Sequence, residues 1–297
     1  MKLIEKFETK NKYITQNWNS EHTFKYLFEI NDKLIEIGYF IHYKDNKEVK
    51  RVIELSSSYG CPMKCKFCAS EIIEDFKLLT GIEMIEILDY IFLDNNIDRD
   101  AKILVAIAGI GDLIFTLNNV IDFINQAVLK YKNLYFDVSA MKLTSEILKE
   151  LELFKNKDKI RDIRITFVLD KKGIRNLIPY MKNENYSFKE ITDLILNSEF
   201  KSFKINYVMI KGINDNEKVW QEFMDNLFLI KDKIRVRISR LNETKSSLKY
   251  DLEPADICDM EKLSELLDNH EIINYLFYSI KNDNMNCGQL ISEVCEK

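Results

Sequence analysis

The sequence predicts an α/β protein, a partial (βα)6 barrel preceded by an N-terminal β-hairpin extension. Three observations carry that expectation. From residue 51 onward, six strand-then-helix units fit one parallel sheet with right-handed crossovers. One of them, Ile103 to Ala108, is an unbroken apolar run, as in a parallel strand buried on both faces. Upstream, Thr23 to Ile30 and Leu34 to Tyr43 alternate apolar and polar side chains around Asn31-Asp32, which is turn chemistry for an antiparallel hairpin. Six units are too few to close an eight-stranded barrel, so a lateral mouth is left for a large substrate. Residues 1–50 form the extension in this reading, and residues 51–297 form the barrel and its C-terminal tail.

Taken in order, a short strand from Arg51 to Leu55 runs straight into a cysteine-rich loop, and Glu83 to Phe92 has helical periodicity. After the Ile103 strand come a helix (Leu117 to Lys130), a strand (Leu134 to Val138) and a helix (Leu143 to Phe154). Strand Ile163 to Leu169 is followed by a helix near Phe188 to Leu196, and strand Phe203 to Ile210 by helix Glu217 to Leu229. Strand Ile234 to Ile238, helix Ala255 to Leu267, strand Tyr275 to Ile280 and a short helix from about Gly288 complete the chain. In such folds the chemistry sits at the C-terminal ends of the strands.

Composition narrows the class. Of 297 residues, 46% are hydrophobic and 31% charged, enough for a large core without disorder. No apolar run is long enough to span a bilayer, and Met1-Lys2-Leu3-Ile4-Glu5-Lys6 turns polar too early for a signal peptide. Six cysteines are too few for a disulfide framework, so a cytoplasmic protein with reduced thiols and no membrane is expected, acting as a monomer. With 43 basic against 48 acidic residues, the net charge of −5 is a poor fit to bulk nucleic-acid binding. The loops at the strand ends do hold Lys171, Lys172, Arg175, Lys211, Arg240 and Lys245, diluted by Asp170, Asp215 and Glu243.

The stretch that organises the chain is Cys61-Pro62-Met63-Lys64-Cys65-Lys66-Phe67-Cys68, at the end of the first barrel strand. A structural zinc site usually takes four protein ligands, whereas a cubane iron–sulfur cluster can take three thiolates and keep one iron open. A zinc loop with a distant fourth ligand is the alternative. The C-x3-C-x2-C order with Phe67 before the last cysteine resembles the radical SAM superfamily, in which S-adenosylmethionine (SAM) chelates the open iron of a [4Fe-4S] cluster.

Within that superfamily the motif order resembles the RlmN/Cfr-type RNA adenosine methyltransferases, from about residue 34 to the end. Their loop S-S-Q-x-G-C-x3-C-x-F-C stands here as Ser56-Ser57-Ser58-Tyr59-Gly60-Cys61, then Cys65 and Phe67-Cys68. Their G-M-G-E-P-L stands as Gly109-Ile110-Gly111-Asp112-Leu113-Ile114. Val138-Ser139 resembles the segment whose serine contacts SAM, and Ile165-Thr166-Phe167-Val168-Leu169 takes the place of S-L-H-A. Tyr207 to Asp215 is close to the family's fifth strand and loop, Asn242 matches the adenosine-binding asparagine, and Cys287-Gly288-Gln289-Leu290 matches C-G-Q-L.

The resemblance implies that Gly111, Asp112, Ser139, Thr166 and Asn242 bind SAM. It implies that Cys287 carries a methyl group received from SAM. A 5′-deoxyadenosyl radical then activates that group for attack on an adenine carbon in RNA of ribosomal or transfer type. Glu36 resembles the carboxylate that removes the adenine proton. Reduction of the cluster implies an external donor, flavodoxin- or ferredoxin-like.

Two departures accompany the matches. The thiol that releases product by forming a disulfide is replaced by Glu54. The remaining thiols are Cys258, expected to be a small buried apolar residue in a helix, and Cys295. One helix would put Cys295 about 12 Å from Cys287. The family's longer N-terminal RNA-gripping domain is also not matched, since about twenty residues precede the hairpin. Two rivals to adenosine methylation follow: a diverged radical enzyme for another substrate, without obligatory methyl transfer, and a non-catalytic cluster- or SAM-binding regulator.

Overall fold

Two tight turns set up the N-terminal half of the sheet. Asn31 and Asp32 have φ of 50° and 60°, and Asp45 and Asn46 have φ of 51° and 60°. Asn and Asp tolerate this left-handed region, and two-residue turns of this kind match the twist of paired strands. The computed structural model describes residues 1–9, 13–14, 19–167, 176–181 and 187–278, with Gln289 and Ile291.

The turns join β3 (Asn19–Ile30), β4 (Lys33–Lys44) and β5 (Lys47–Leu55) into an antiparallel meander. The second turn is one the sequence reading missed; β5 begins at Lys47, so residue 50 lies inside a strand. Two further strands, β1 (Lys2–Thr9) and β2 (Tyr13–Ile14), pair with β3, although the sequence reading assigned no strand there. Isolated, the charge-rich β1 has little strand character; its pairing partner makes it one.

β5 is the joint of the molecule. It runs antiparallel to β4 on one side and parallel to β8 (Ile103–Ile107) on the other. From there the sheet continues in parallel through β9 (Leu134–Ala140), β10 (Ile160–Phe167), β11 (Phe203–Met209), β12 (Ile234–Arg240) and β13 (Asn274–Phe277). The eleven strands make one sheet. A separate two-stranded ribbon, β6 (Ser58–Tyr59) with β7 (Lys77–Leu78), brackets the cysteine loop.

Helices α1 (Gly81–Asp94), α2 (Leu113–Lys130), α3 (Ser145–Leu153), α4 (Phe188–Asn197), α5 (Glu217–Leu227), α6 (Lys245–Lys249) and α7 (Ile257–Asn269) follow the strands. α2 starts four residues earlier than the periodicity predicts, because Asp112 Oδ1 accepts from the Ile114 N–H at 3.1 Å and caps the helix there. α7 turns Met260, Leu263, Ser264 and Leu267 inward. Cys258 falls on the opposite side of that stripe and is exposed, which corrects the expectation of a buried thiol.

The parallel strands have two unlike faces. Ile53, Leu55, Val105, Phe136, Ile163, Ile205, Val236 and Ile238 join one large apolar core with the helices. The intervening residues, among them Glu54, Ser139, Arg164, Asn206 and Arg237, line a cavity on the concave side. No helix among the described residues is long and apolar enough to cross a membrane.

Candidate active site

The cavity opens where β5 and β8 end, and two loops there are stitched together through their backbones. Ser57 and Ser58 N–H groups donate to the Ile110 carbonyl at 2.9 and 3.3 Å, and the Gly109 N–H donates to the Leu55 carbonyl at 3.1 Å. Ser56 Oγ donates to the Glu36 carbonyl at 2.7 Å and accepts from the Ile110 N–H at 3.0 Å. Gly111 is fixed by this contact: its φ is 121°, and an added Cβ would collide with Ser57 Oγ and Ser58 Oγ.

The cysteine loop is pinned from outside. Lys64 Nζ donates to the carbonyls of Glu71 and Ile73 at 2.9 and 2.5 Å. Ser246 Oγ, on α6, donates to the Lys66 carbonyl at 2.9 Å, and Tyr250 Oη donates to Glu71 Oε1 at 2.8 Å. This brings Cys61, Cys65 and Cys68 to the cavity that Gly111 and Asp112 also line. Cys61 and Cys65 are buried and Cys68 is half-buried.

Burial pushes the Cys65 thiol far above its usual range, and Cys68, Cys61 and Asp112 push it the same way. Burial does the same to Cys61, again with help from Asp112. Thiolates crowded like this need a strongly positive partner among them. Among the described residues, no three Cys, His, Asp or Glu side chains converge closely enough to share one ion. A cubane requires no such convergence, because each thiolate binds a different iron. The donor set therefore fits a [4Fe-4S] cluster held at three corners.

Asp112 lines the same cavity. Its Oδ2 accepts from the Met141 N–H at 2.6 Å while Oδ1 caps α2. Burial raises its carboxyl to about 7, against the pull of those two N–H groups. Ser139, Thr166 and Asn242 line the same cavity, so the structure brings together all five residues predicted to bind SAM.

Glu36 faces a different environment. It is buried and ion-paired with the equally buried Lys25, and its Oε2 accepts from the Ile291 N–H at 3.2 Å. Ile291 packs on Leu27, Ile73 and Ile110, and Gln289 Nε2 donates to the Glu243 carbonyl at 3.1 Å. Ile291 is thus docked against β4, the cysteine loop and the glycine loop. Cys287 and Cys295 lie outside the described residues, as do Lys171, Lys172 and Arg175.

Sequence reasoning missed the floor. Arg164, Asn206, Arg237 and Ser239 line the cavity of about 220 Å³, as does Glu54 at the position of the missing thiol. Ser239 Oγ donates to Asn206 Oδ1 at 2.7 Å, and the Arg237 guanidinium stacks 3.6 Å from the Phe277 ring centroid. One signal was available: Arg235 and Arg237 alternate with Ile234, Val236 and Ile238, and Arg164 stands between Ile163 and Ile165.

No family model matches the chain. It is 26% identical over 207 residues to the probable dual-specificity RNA methyltransferase RlmN of Listeria welshimeri, covering 67% of this chain and 54% of that protein. The chain thus spans about half the length of the curated relatives it matches at this level. The corresponding protein of Clostridium botulinum is 26% identical over 281 residues, covering 91% of this chain and 76% of its own. A radical SAM methyltransferase from Sphaerobacter thermophilus superposes with a TM-score of 0.76 at 17% identity, over 97% of this chain and 80% of that one. Fold, motif order and sequence similarity agree: the chain has the fold of a radical SAM methyltransferase and is distantly similar to the RlmN proteins.

Proposed function

We propose that the chain is a radical SAM methyltransferase of RlmN-like type. Cys61, Cys65 and Cys68 hold the cluster in this reading, and Gly111, Asp112, Ser139, Thr166 and Asn242 bind SAM. The observation that carries it is the meeting of three thiols, the glycine–serine contact and Asp112 on one cavity at the strand ends. When bound, cluster and SAM together supply one-electron chemistry that side chains cannot.

The protein's own residues divide the remaining work. The cysteine loop holds the cluster against the cavity wall, and Asp112 presents a carboxylate for an ammonium group. Cys287 is the methyl carrier. Glu36 latches the segment that bears it, through Ile291, and serves as the proton acceptor once it parts from Lys25 or from that N–H. The leading substrate is an adenosine in RNA, alkylated at an aromatic carbon. The electron comes from a flavodoxin- or ferredoxin-like donor in the cytoplasm, and the protein acts as a monomer.

A second reading, a radical enzyme for another substrate, draws on the floor of the cavity. Glu54 stands there instead of a releasing thiol, between charged neighbours that a neutral adenine does not need.

Anaerobic incubation of reconstituted protein with SAM and reductant tests the proposal. We expect 5′-deoxyadenosine together with S-adenosylhomocysteine, and a mass gain of one methyl group at Cys287. Deoxyadenosine alone, without the mass gain, would leave the second reading. Neither product would leave a binding protein.

A further inference from the structure

The inward face of the barrel carries more positive charge than the chain as a whole permits one to guess. Its described residues include Lys50, Arg161, Arg164, Lys204, Arg235 and Arg237, facing Asp137, Asp162 and Glu54. Six cations against three carboxylates stand in contrast to a chain whose net charge is −5. The lower members neutralise one another. Arg161 forks onto Asp137 at 2.9 and 2.5 Å, Lys204 reaches Asp137 at 3.2 Å, and Arg235 reaches Asp162 at 2.7 Å.

Arg164 and Arg237 are different. They lie one strand step above that network, on β10 and β12, and both line the cavity. The Nε of each is buried without a hydrogen-bond partner. Buried polar atoms in folded proteins are normally paired, so two arginines that line one cavity, each with an unpaired Nε, call for a ligand among their guanidinium groups. Burial, and then the charge of Arg164, lowers the Arg237 guanidinium to about 10, with Glu54 acting in the opposite sense. The two cations therefore repel, and one carboxylate offsets them only in part.

We propose that Arg164 and Arg237 form an oxyanion subsite on the floor of the cavity, which takes the terminal carboxylate or phosphomonoester of a low-molecular-weight substrate. Depth decides against a polymer. Both arginines sit two residues below the strand-end positions Thr166 and Ser239, inside a cavity of about 220 Å³. A nucleic-acid backbone would remain at the rim, whereas a terminal acidic group can descend. Planar guanidinium forks suit either anion, and Phe277 under Arg237 holds one fork in place. The inference deepens the second reading, a radical enzyme for a substrate other than RNA, and it rests on the radical SAM reading only for what happens above the floor, where the anchored substrate would face bound SAM.

Calorimetry on the full chain, with and without saturating SAM, separates the two. Inorganic phosphate and succinate are the probes. We expect at least one to bind wild type about tenfold or more tighter than R237Q or R164Q, the loss of a charge-assisted hydrogen bond. SAM affinity should stay within about twofold in both variants by the same scale. Glu54→Gln should tighten the anion, because it removes the competing carboxylate. The stronger probe names the source, phosphate or carboxylate. Equal anion binding by wild type and both variants would overturn the subsite, as would no binding at all. Parallel loss of SAM affinity would show that the arginines read the cofactor instead. Displacement of the probe by an RNA oligonucleotide without terminal phosphates would overturn the small-molecule assignment. Failure to assemble a cluster would sink the radical reading while leaving the anion measurement intact.

Discussion

The rim and the floor of the same cavity are made of different materials. At the rim, contacts are between backbones: serine and glycine N–H groups, the Ile110 and Leu55 carbonyls, and a glycine at φ 121° that no side chain can replace. At the floor, long charged side chains meet across β5, β9, β10, β11 and β12. A rim built from backbone holds its shape whatever the substrate, which suits a shared cofactor. A floor built from side chains can be rewritten residue by residue, which suits a change of substrate. The comparison implies that rim variants should abolish chemistry with little loss of stability, and that deep floor variants should do the reverse.

The largest expected effect is at the rim. Cys65→Ala removes one proposed cluster ligand while leaving a small apolar side chain in a buried place. Iron and sulfide per chain after anaerobic reconstitution should fall severalfold, with deoxyadenosine formation at background and an unchanged far-ultraviolet circular dichroism spectrum. Wild-type cluster content in this variant would remove Cys65 from the ligand set.

The next effect belongs to the floor. Asp162 Oδ1 accepts from Ser202 Oγ at 2.6 Å and from Arg235 at 2.7 Å, and Oδ2 is ion-paired with Arg161 at 3.1 Å and Lys204 at 3.7 Å. Asp162→Ala would take the carboxylate from Arg235 and leave Arg161 and Lys204 to share Asp137, and the loss of such charge-assisted hydrogen bonds costs about 1.5–3 kcal/mol. Urea unfolding should show it, while the variant that still folds keeps its cluster. The same carboxylate sets an acid limb. Burial alone would raise it, but Lys204, Ser202, Arg161 and Arg235 together hold it below its ordinary value of 3.8. A depressed carboxylate contributes stability that is complete above 3.8 and is lost as the pH falls towards the folded value. Wild type should therefore lose stability below about pH 4 more steeply than Asp162→Asn.

The two regions were also unequally legible in the sequence. The rim announced itself because its chemistry demands residue types at fixed spacing: Cys61, Cys65 and Cys68, and Gly109 and Gly111 after an all-apolar strand. The floor did not, for a physical reason. Alternation such as Ile163-Arg164-Ile165-Thr166 or Ile234-Arg235-Val236-Arg237-Ile238 reads as a strand with one wet face. Here the second face is the lining of a concave cavity, and pattern alone cannot separate outer solvent from enclosed space. The hairpin at Asn31-Asp32 was readable, while the turn at Asp45-Asn46 was hidden among charged neighbours. β1 depends on β3, a pairing that local periodicity does not encode.

The smallest effect separates two duties of one rim residue. Asp112 caps α2 through Oδ1 and holds the Met141 N–H through Oδ2, and its carboxylate is also the proposed acceptor for the SAM ammonium. Asp112→Ala removes all three roles, whereas Asp112→Ser keeps an oxygen able to cap the helix and gives up the charge. Loss of the cap should cost about 1 kcal/mol of stability in the alanine variant and little in the serine variant. Loss of the charge-assisted hydrogen bond should weaken SAM by about 1.5–3 kcal/mol in both. Paired calorimetry and denaturation would read the two quantities separately. If SAM affinity follows stability, falling in the alanine variant and recovering in the serine variant, Asp112 acts on the cofactor only by shaping the loop. Equal weakening in both variants would place the carboxylate in contact with SAM, and affinity unchanged in both would remove Asp112 from the cofactor site.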